Sequence, residues 1–210
     1  MPSGRFITLE GGEGTGKSTQ AKRLAERLSA AGLEAVLTRE PGGSEGAEAL
    51  RRLLLEGDAD RWSPVSETLL MYAARRDHLE KLIRPALARG AWVICDRFFD
   101  STRAYQGAGG GAPEALIATL EAEVVGSDRP DLTLVLDLPV ETGLARAGAR
   151  TAFDRIEARG RDFHQRLRQA FLDIAAREPE RCVVVDASPA PDEVSGRLWD
   201  AVQARLGVTA

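Results

Sequence analysis

Five short apolar runs punctuate the chain: Phe6-Ile7-Thr8-Leu9, Ala35-Val36-Leu37-Thr38, Trp92-Val93-Ile94-Cys95, Leu132-Thr133-Leu134-Val135-Leu136 and Cys182-Val183-Val184-Val185. Each is short and free of charge, the pattern of strands buried on both faces. Between them the apolar positions recur at helical spacing; Phe163, Leu167, Phe171 and Ile174, for example, share one face. Strands alternating with helices predict an α/β fold: a five-stranded parallel sheet with helices on both faces, joined by right-handed crossovers. Glu10, Asp96 and Asp137 each place a carboxylate at the end of a run. Ligands of such sheets lie outside the carboxyl ends of the strands.

The stretch from Gly46 to Arg89 exceeds what a crossover needs. It predicts two helices, broken near Gly57 and Pro64, that wall a second substrate or meet another subunit. Val140 to Ala149 reads as a helix, and the Arg-rich segment from 150 to 161 as a mobile lid. Pro189 and Pro191 turn the chain into a last helix. There is no repeat, low-complexity tract or linker, so one domain spanning 1–210 is expected.

Composition narrows the picture. A hydrophobic fraction of 43% fills a core, and a formal charge of −4 disfavours a general nucleic-acid surface. Arginine outnumbers lysine 25 to 3, and asparagine is absent. Cys95 and Cys182 sit inside apolar runs without zinc spacing, as buried free thiols do. No signal-type or membrane-spanning stretch is present, so a reducing cytoplasm is expected and no membrane partner.

Directly after the first run comes Gly11-Gly12-Glu13-Gly14-Thr15-Gly16-Lys17-Ser18, which is G-x-x-x-x-G-K-[ST] between a strand and a helix. Glycines let such a loop curl until successive N–H groups point inward at phosphate oxygens. Lys17 supplies a point charge for β- and γ-phosphates, the Ser18 hydroxyl can hold Mg²⁺, and the following helix directs its positive end at the same anion. The chain is expected to bind a nucleoside triphosphate.

Further candidates cluster at other strand ends. Arg39, in Thr38-Arg39-Glu40-Pro41-Gly42-Gly43, suits a bidentate phosphate contact, and the Glu40–Pro41 bond is a candidate for cis. Asp96 can hold Mg²⁺ or accept a proton from an incoming phosphate, and Arg97 can neutralise charge on a transferring group. Ser101, Thr102, Tyr105 and Gln106 have side chains suited to reading a base and sugar. Of Arg75 and Arg76, helix geometry sends one to the pocket and the other to solvent. In the lid, Arg146, Arg150, Arg155, Arg159 and Arg161 lie near Asp154 and Glu157, and one could enter beside the γ-phosphate. His78 and His164 are isolated, with a structural or surface role expected for both.

Taken in order, these motifs resemble thymidylate kinases of the bacterial kind. The resemblance spans nearly the whole chain: Glu10 to Ser18, Thr38 to Gly43, Tyr72-Ala73-Ala74-Arg75, Asp96-Arg97-Phe98 with Ser101 and Ala104-Tyr105-Gln106-Gly107, Arg129-Pro130-Asp131-Leu132, and Asp154-Arg155-Ile156-Glu157. It implies transfer of the γ-phosphoryl of ATP to dTMP, with Mg²⁺ held at Ser18 and Asp96, and a homodimer. ATP would lie on Gly11, Gly12, Glu13, Gly14, Thr15, Gly16, Lys17, Ser18 and Thr19, with Arg146 packed on adenine. Arg39 and Arg97 would hold the acceptor phosphate. Arg75, Ser101 and Thr102 would read the thymine edge, with Gln106 nearby, and Tyr105 would crowd the sugar 2′ position. Glu13 would sit near the 3′-hydroxyl, the acceptor phosphate or the metal. One branch of the family carries a catalytic arginine in the loop, where this chain has Gly14. The resemblance is to the other branch, with Arg150 first and Arg155 second as the lid residue at the γ-phosphate. Met71 stands where the family has an aromatic that stacks on thymine, and Tyr72 or Phe98 would then contribute.

Three rival classes remain in view. A related kinase for another small acceptor would share the loop. A guanine-nucleotide switch would need Asn-Lys-x-Asp, which a chain without asparagine cannot supply. A nucleic-acid-driven motor is disfavoured by the acidic balance.

Overall fold

The computed structural model describes residues 4–58, 60–148 and 159–208. In chain order the elements are β1 (Phe6–Glu10), α1 (Lys17–Ala30), β2 (Ala35–Arg39), α2 (Glu45–Leu55), α3 (Pro64–His78), a π-helical turn (Leu79–Ile83), α4 (Arg84–Ala88) and β3 (Trp92–Asp96). There follow α5 (Phe99–Thr102), a π-helical segment (Arg103–Gly109), α6 (Glu114–Val124), β4 (Leu132–Asp137), α7 (Val140–Gly148), α8 (Arg161–Arg177), β5 (Cys182–Asp186) and α9 (Pro191–Leu206). The five apolar runs are the five strands, paired in parallel in the order β2-β3-β1-β4-β5.

Alternation along each strand divides the core into two layers. Ile7, Leu9, Ile94, Leu132, Leu134 and Leu136 pack against Leu24 and Leu28 of α1 and Val194, Leu198 and Val202 of α9. On the opposite face, Phe6, Val93 and Cys95 pack on Tyr72, Leu79, Ile83, Phe98 and Phe99, while Val135 meets Leu167, Phe171 and Ile174 of α8. Each fully buried large apolar side chain contributes roughly 1.5–3 kcal/mol. Both cysteines are buried and free.

The long stretch after β2 breaks where expected. Ser63 caps α3 by accepting from the Ser66 amide at 3.1 Å, and Pro64 takes the first helical position. Two π-helical turns, Leu79–Ile83 and Arg103–Gly109, have no counterpart in the helical pattern of the sequence. A π-turn adds a residue to a helix without a breaker residue to announce it.

Register brings the chemistry to one edge. Leu9 of β1 and Arg39 of β2 both lie opposite Asp96 of β3, and Glu10 lies opposite Val135 of β4. Arg39, Glu10 and Asp96 therefore emerge together at the carboxyl ends of adjacent strands.

Candidate active site

Loop 11–18 curls through left-handed backbone at Gly11, Gly14 and Gly16, with φ of 135°, 68° and 88°. Close packing excludes side chains at two of these positions. A Cβ at Gly11 would lie 2.4 Å from the Leu136 carbonyl oxygen, and one at Gly14 only 2.0 Å from that of Gly143 in α7. A Cβ at Gly143 would in turn lie 2.4 Å from the Glu13 carbonyl oxygen, and one glycine inside a helical pattern carries no distinctive sequence signal for such a site element. Gly16 caps α1 without any side-chain bond, so the first-turn amides are left for an anion.

Lys17 is 7% exposed and folds back on its own loop, donating to the Gly12 carbonyl at 2.7 Å and to Thr15 Oγ1 at 3.3 Å. Burial, reinforced by the Arg97 charge, pulls its pKa down to about 8. Ser18 Oγ donates to Asp96 Oδ2 at 2.5 Å, and Asp96 Oδ1 is buried without a partner. That free carboxylate oxygen beside a hydroxyl is a hard oxygen donor set, and it fits Mg²⁺. Among the described residues no group of three or more His, Cys, Asp or Glu forms a further metal site.

Arg97 crosses from this loop to the neighbouring pocket. It is the one non-glycine residue with positive φ among those described, at 71°, a conformation that costs of order 1–3 kcal/mol. Its guanidinium donates to the Gly11 carbonyl at 3.0 Å and to Glu13 Oε1 at 2.8 Å, and lies 4.8 Å from the Tyr105 ring centre. The Tyr105 hydroxyl donates to the same Glu13 oxygen. Beneath this corner Glu10 accepts from the Phe98 amide at 2.7 Å, the Ser101 amide at 3.3 Å and the Ser101 hydroxyl at 2.6 Å. Burial and the neighbouring Asp100 charge push the Glu10 carboxyl up to about 7, against the Ser101 hydrogen bond.

A cavity of about 370 Å³ runs from Gly16, Lys17 and Ser18, past Arg97, to a wall made by Arg39, Met71, Arg75, Phe98, Ser101, Thr102, Tyr105 and Gln106. Arg39 is exposed, at 56%, and faces Glu48 at 3.3 Å. Arg75 is 2% exposed: Nε donates to Glu40 Oε2 at 2.8 Å, Nη2 donates to the Phe98 carbonyl at 3.2 Å and to Thr102 Oγ1 at 3.1 Å, and Nη1 has no partner. Arg76 points outward and pairs with Glu80 at 2.6 Å. Phe98 lines the cavity, whereas the Tyr72 ring lies under Arg75, 4.8 Å from its guanidinium carbon, and is not a cavity wall. Gln106 donates to the buried Glu67 at 2.8 Å.

The structure adds Glu40, Arg51 and Leu55 to the cavity wall. The sequence could have offered Arg51 only as one more arginine of an amphipathic helix, and Glu40 only as a turn residue. Thr19 is exposed in the first turn of α1 and does not line the cavity. Arg146 lies elsewhere, donating to the carbonyls of Ala187 and Ser188, at 3.1 and 3.2 Å, in the loop after β5. Arg150, Arg155, Asp154 and Glu157 lie outside the described residues. Arg159 stacks on Phe163, and Arg161 pairs with Glu141.

A glycine-built phosphate loop at the end of β1 that shares one cavity with a second, arginine-rich pocket defines a P-loop nucleoside monophosphate kinase. The family model described as thymidylate kinase matches residues 9–197. The chain belongs to the thymidylate kinase family, the enzymes that phosphorylate dTMP. A thymidylate kinase of Caulobacter vibrioides is 63% identical over 208 residues, covering 99% of this chain and all of that one. One from Bradyrhizobium diazoefficiens is 55% identical over 206 residues, covering 97% of this chain and 90% of the relative. The crystal structure of thymidylate kinase from Ehrlichia chaffeensis superposes with a TM-score of 0.80 at 36% identity, covering 96% of this chain and 100% of that one.

Proposed function

We propose that this chain performs the family reaction at the junction of the two subsites, moving the γ-phosphoryl of ATP to the 5′-phosphate of dTMP to give dTDP and ADP. The observation that supports this placement is the single cavity that joins an anion cradle to a buried guanidinium with an unpaired nitrogen. Phosphoryl transfer asks a protein chiefly to align two anions and to compensate charge.

On the donor side, the loop amides and Lys17 grip the triphosphate. Lys17 exchanges the Gly12 carbonyl for phosphate oxygens, which restores full favour to its charged form. Ser18 and Asp96 would hold Mg²⁺, which when bound offsets phosphate charge. Arg97 stands between the subsites and, with Arg39, holds the acceptor phosphate. Glu13 keeps Arg97 and Tyr105 in place and lies where the sugar and acceptor phosphate meet. Tyr105 crowds the 2′ position. Arg75, with Ser101, Thr102 and Gln106, reads the base, and Met71 and Phe98 pack against it. An acceptor oxygen satisfies a guanidinium N–H, whereas an exocyclic amine leaves donors facing each other. A buried donor left unpaired costs about 1–3 kcal/mol, enough for roughly 10- to 100-fold discrimination.

Position 14 has no room for a catalytic arginine, because Gly143 sits against it. Following the family resemblance, the basic group at the γ-phosphate is assigned to the lid of about 150–161, with Arg150 first and Arg155 second. Arg146, beside the loop after β5, is assigned to adenine. We assign one kinase domain to residues 1–210. Exposed Leu53, Val65 and Leu69 on α2 and α3 offer an apolar surface for the homodimer that the family resemblance implies. No helix of the described residues is long and apolar enough to cross a membrane, and a cytoplasmic enzyme is the reading consistent with that.

One coupled assay tests the function: ATP–Mg²⁺ with dTMP, dUMP, CMP, GMP or AMP as acceptor. dTMP is expected to give the highest kcat/KM. A preference for another monophosphate would overturn the acceptor assignment.

A further inference from the structure

We propose that His78 is a positioning residue for Arg75, acting through Glu40, and that the buried chain Thr38–His78–Glu40–Arg75 sets the preference for the acceptor base. The proposal rests on the assignment of Arg75 to base reading.

The chain is continuous. Thr38 Oγ1 and His78 Nε2 share a hydrogen at 2.7 Å, His78 Nδ1 meets Glu40 Oε1 at 3.0 Å, and Glu40 Oε2 accepts from Arg75 Nε at 2.8 Å. Ionised Glu40 can only accept, so Nδ1 carries the donated proton. All four residues are buried, His78 at 0% exposure. Arg75 and His78 are three apart on α3 and share a face, so one carboxylate can bridge them. Glu40 is itself tied to the sheet, its amide donating to the Asp96 carbonyl at 2.9 Å.

The consequence is geometric. A carboxylate gripped on both oxygens cannot rotate. It holds Nε of Arg75, while Phe98 and Thr102 hold Nη2, and the guanidinium plane is thereby set with Nη1 left over. With His78 removed, Glu40 Oε1 loses its partner and Arg75 loses its fixed support. Gly43 shows that the ring site is shaped closely. With φ at 88°, it closes over the pair so tightly that a Cβ would lie 2.3 Å from His78 Nε2 and 2.4 Å from Thr38 Oγ1.

The test measures KM for dTMP and for ATP, kcat, the ratio of kcat/KM for dTMP over dCMP, and the melting temperature, in His78→Ala, His78→Gln, Thr38→Val, Arg75→Gln and the Arg75→Gln/His78→Ala double variant. His78→Ala is expected to raise KM for dTMP about tenfold and to lower discrimination by a similar factor. Its kcat and KM for ATP should stay within about twofold. His78→Gln, which can still donate to Glu40, should recover most of the loss. In the Arg75→Gln background, His78→Ala should add nothing further to KM. An unchanged KM in His78→Ala, or an equal effect with and without Arg75, overturns the proposal. If His78→Ala does not fold, Thr38→Val decides: a raised KM for dTMP supports the chain, and an unchanged one overturns it. If Arg75→Gln alone leaves KM and discrimination untouched, base reading by Arg75 is itself wrong, and the chain falls with it. If Arg75→Gln raises KM but His78→Ala does not, only the chain is wrong.

Discussion

The two halves of the cavity are built by opposite means. Loop 11–18 is local: eight consecutive residues whose backbone does the work, with glycines at positive φ and amides left open at the head of α1. The acceptor wall is assembled from β2, α2, α3 and the segment after β3, and side chains do the work. Arg75 and Glu40 are 35 residues apart, Arg75 and Thr102 are 27 apart, and Gln106 and Glu67 are 39 apart. A backbone cradle suits any polyphosphate, since it recognises charge and shape. A buried side-chain wall suits one base, since each fixed donor demands its complement.

That division has measurable consequences. On the donor side, Lys17→Ala should lower turnover about 10³-fold, a loss of the size seen when a preorganised charge is removed from a transition state. Its melting temperature should change little, because the Lys17 ammonium donates its hydrogen bonds within its own loop. Near-normal kcat in the folded variant would remove Lys17 from the mechanism. On the acceptor side, Arg75→Gln should cut kcat/KM for dTMP about 10²-fold, mostly through KM, with KM for ATP unchanged. If kcat falls while KM holds, base reading and catalysis are not separated in this protein and the contrast fails.

A third variant probes the loop as backbone. Gly14→Ala places a methyl against the Gly143 carbonyl at a φ of 68°, and should destabilise the fold by about 2 kcal/mol. A thermal melt within a degree of the parent would show that loop and α7 are not rigidly packed.

The smallest effect is one of pH and lies beneath the junction. The Glu10 carboxyl stands at about 7 in the fold, against an ordinary value of 4.5. Between those values the folded chain keeps a proton that the unfolded chain has released, so stability falls as pH rises from 4.5 to 7. Between about pH 5.5 and 6.5 the loss is roughly 1 kcal/mol, or about 2–4 °C in Tm. Glu10→Gln should flatten that slope. A slope of equal size in both proteins would place the titrating group elsewhere.

Much of this was readable beforehand, and unevenly so. The strands and the order of elements follow from local apolar pattern, and the phosphate loop from a contiguous motif. Arg97 and Asp96 could be named because a strand end marks where ligands bind. The pairing of Ser18 with Asp96 came from the family resemblance and not from spacing, since the contact depends on β1 and β3 lying side by side. His78 read as isolated because its neighbours Thr38 and Glu40 are distant in the chain. Of Arg75 and Arg76, spacing alone sent one inward without saying which, and the family resemblance pointed to Arg75. The fold settles it, since Glu40 arrives on one face of α3 only.

The sequence by itself determined the alternation of strands and helices and the glycine loop with its phosphate-binding pattern. Those properties depend on backbone freedom and short-range periodicity, which neighbouring residues control. Only the tertiary structure decided that Arg75 is buried beside the cavity with Glu40 and His78 behind it, and that a side chain at position 14 would meet Gly143. Each of those depends on atoms that folding alone brings within hydrogen-bonding distance or van der Waals contact.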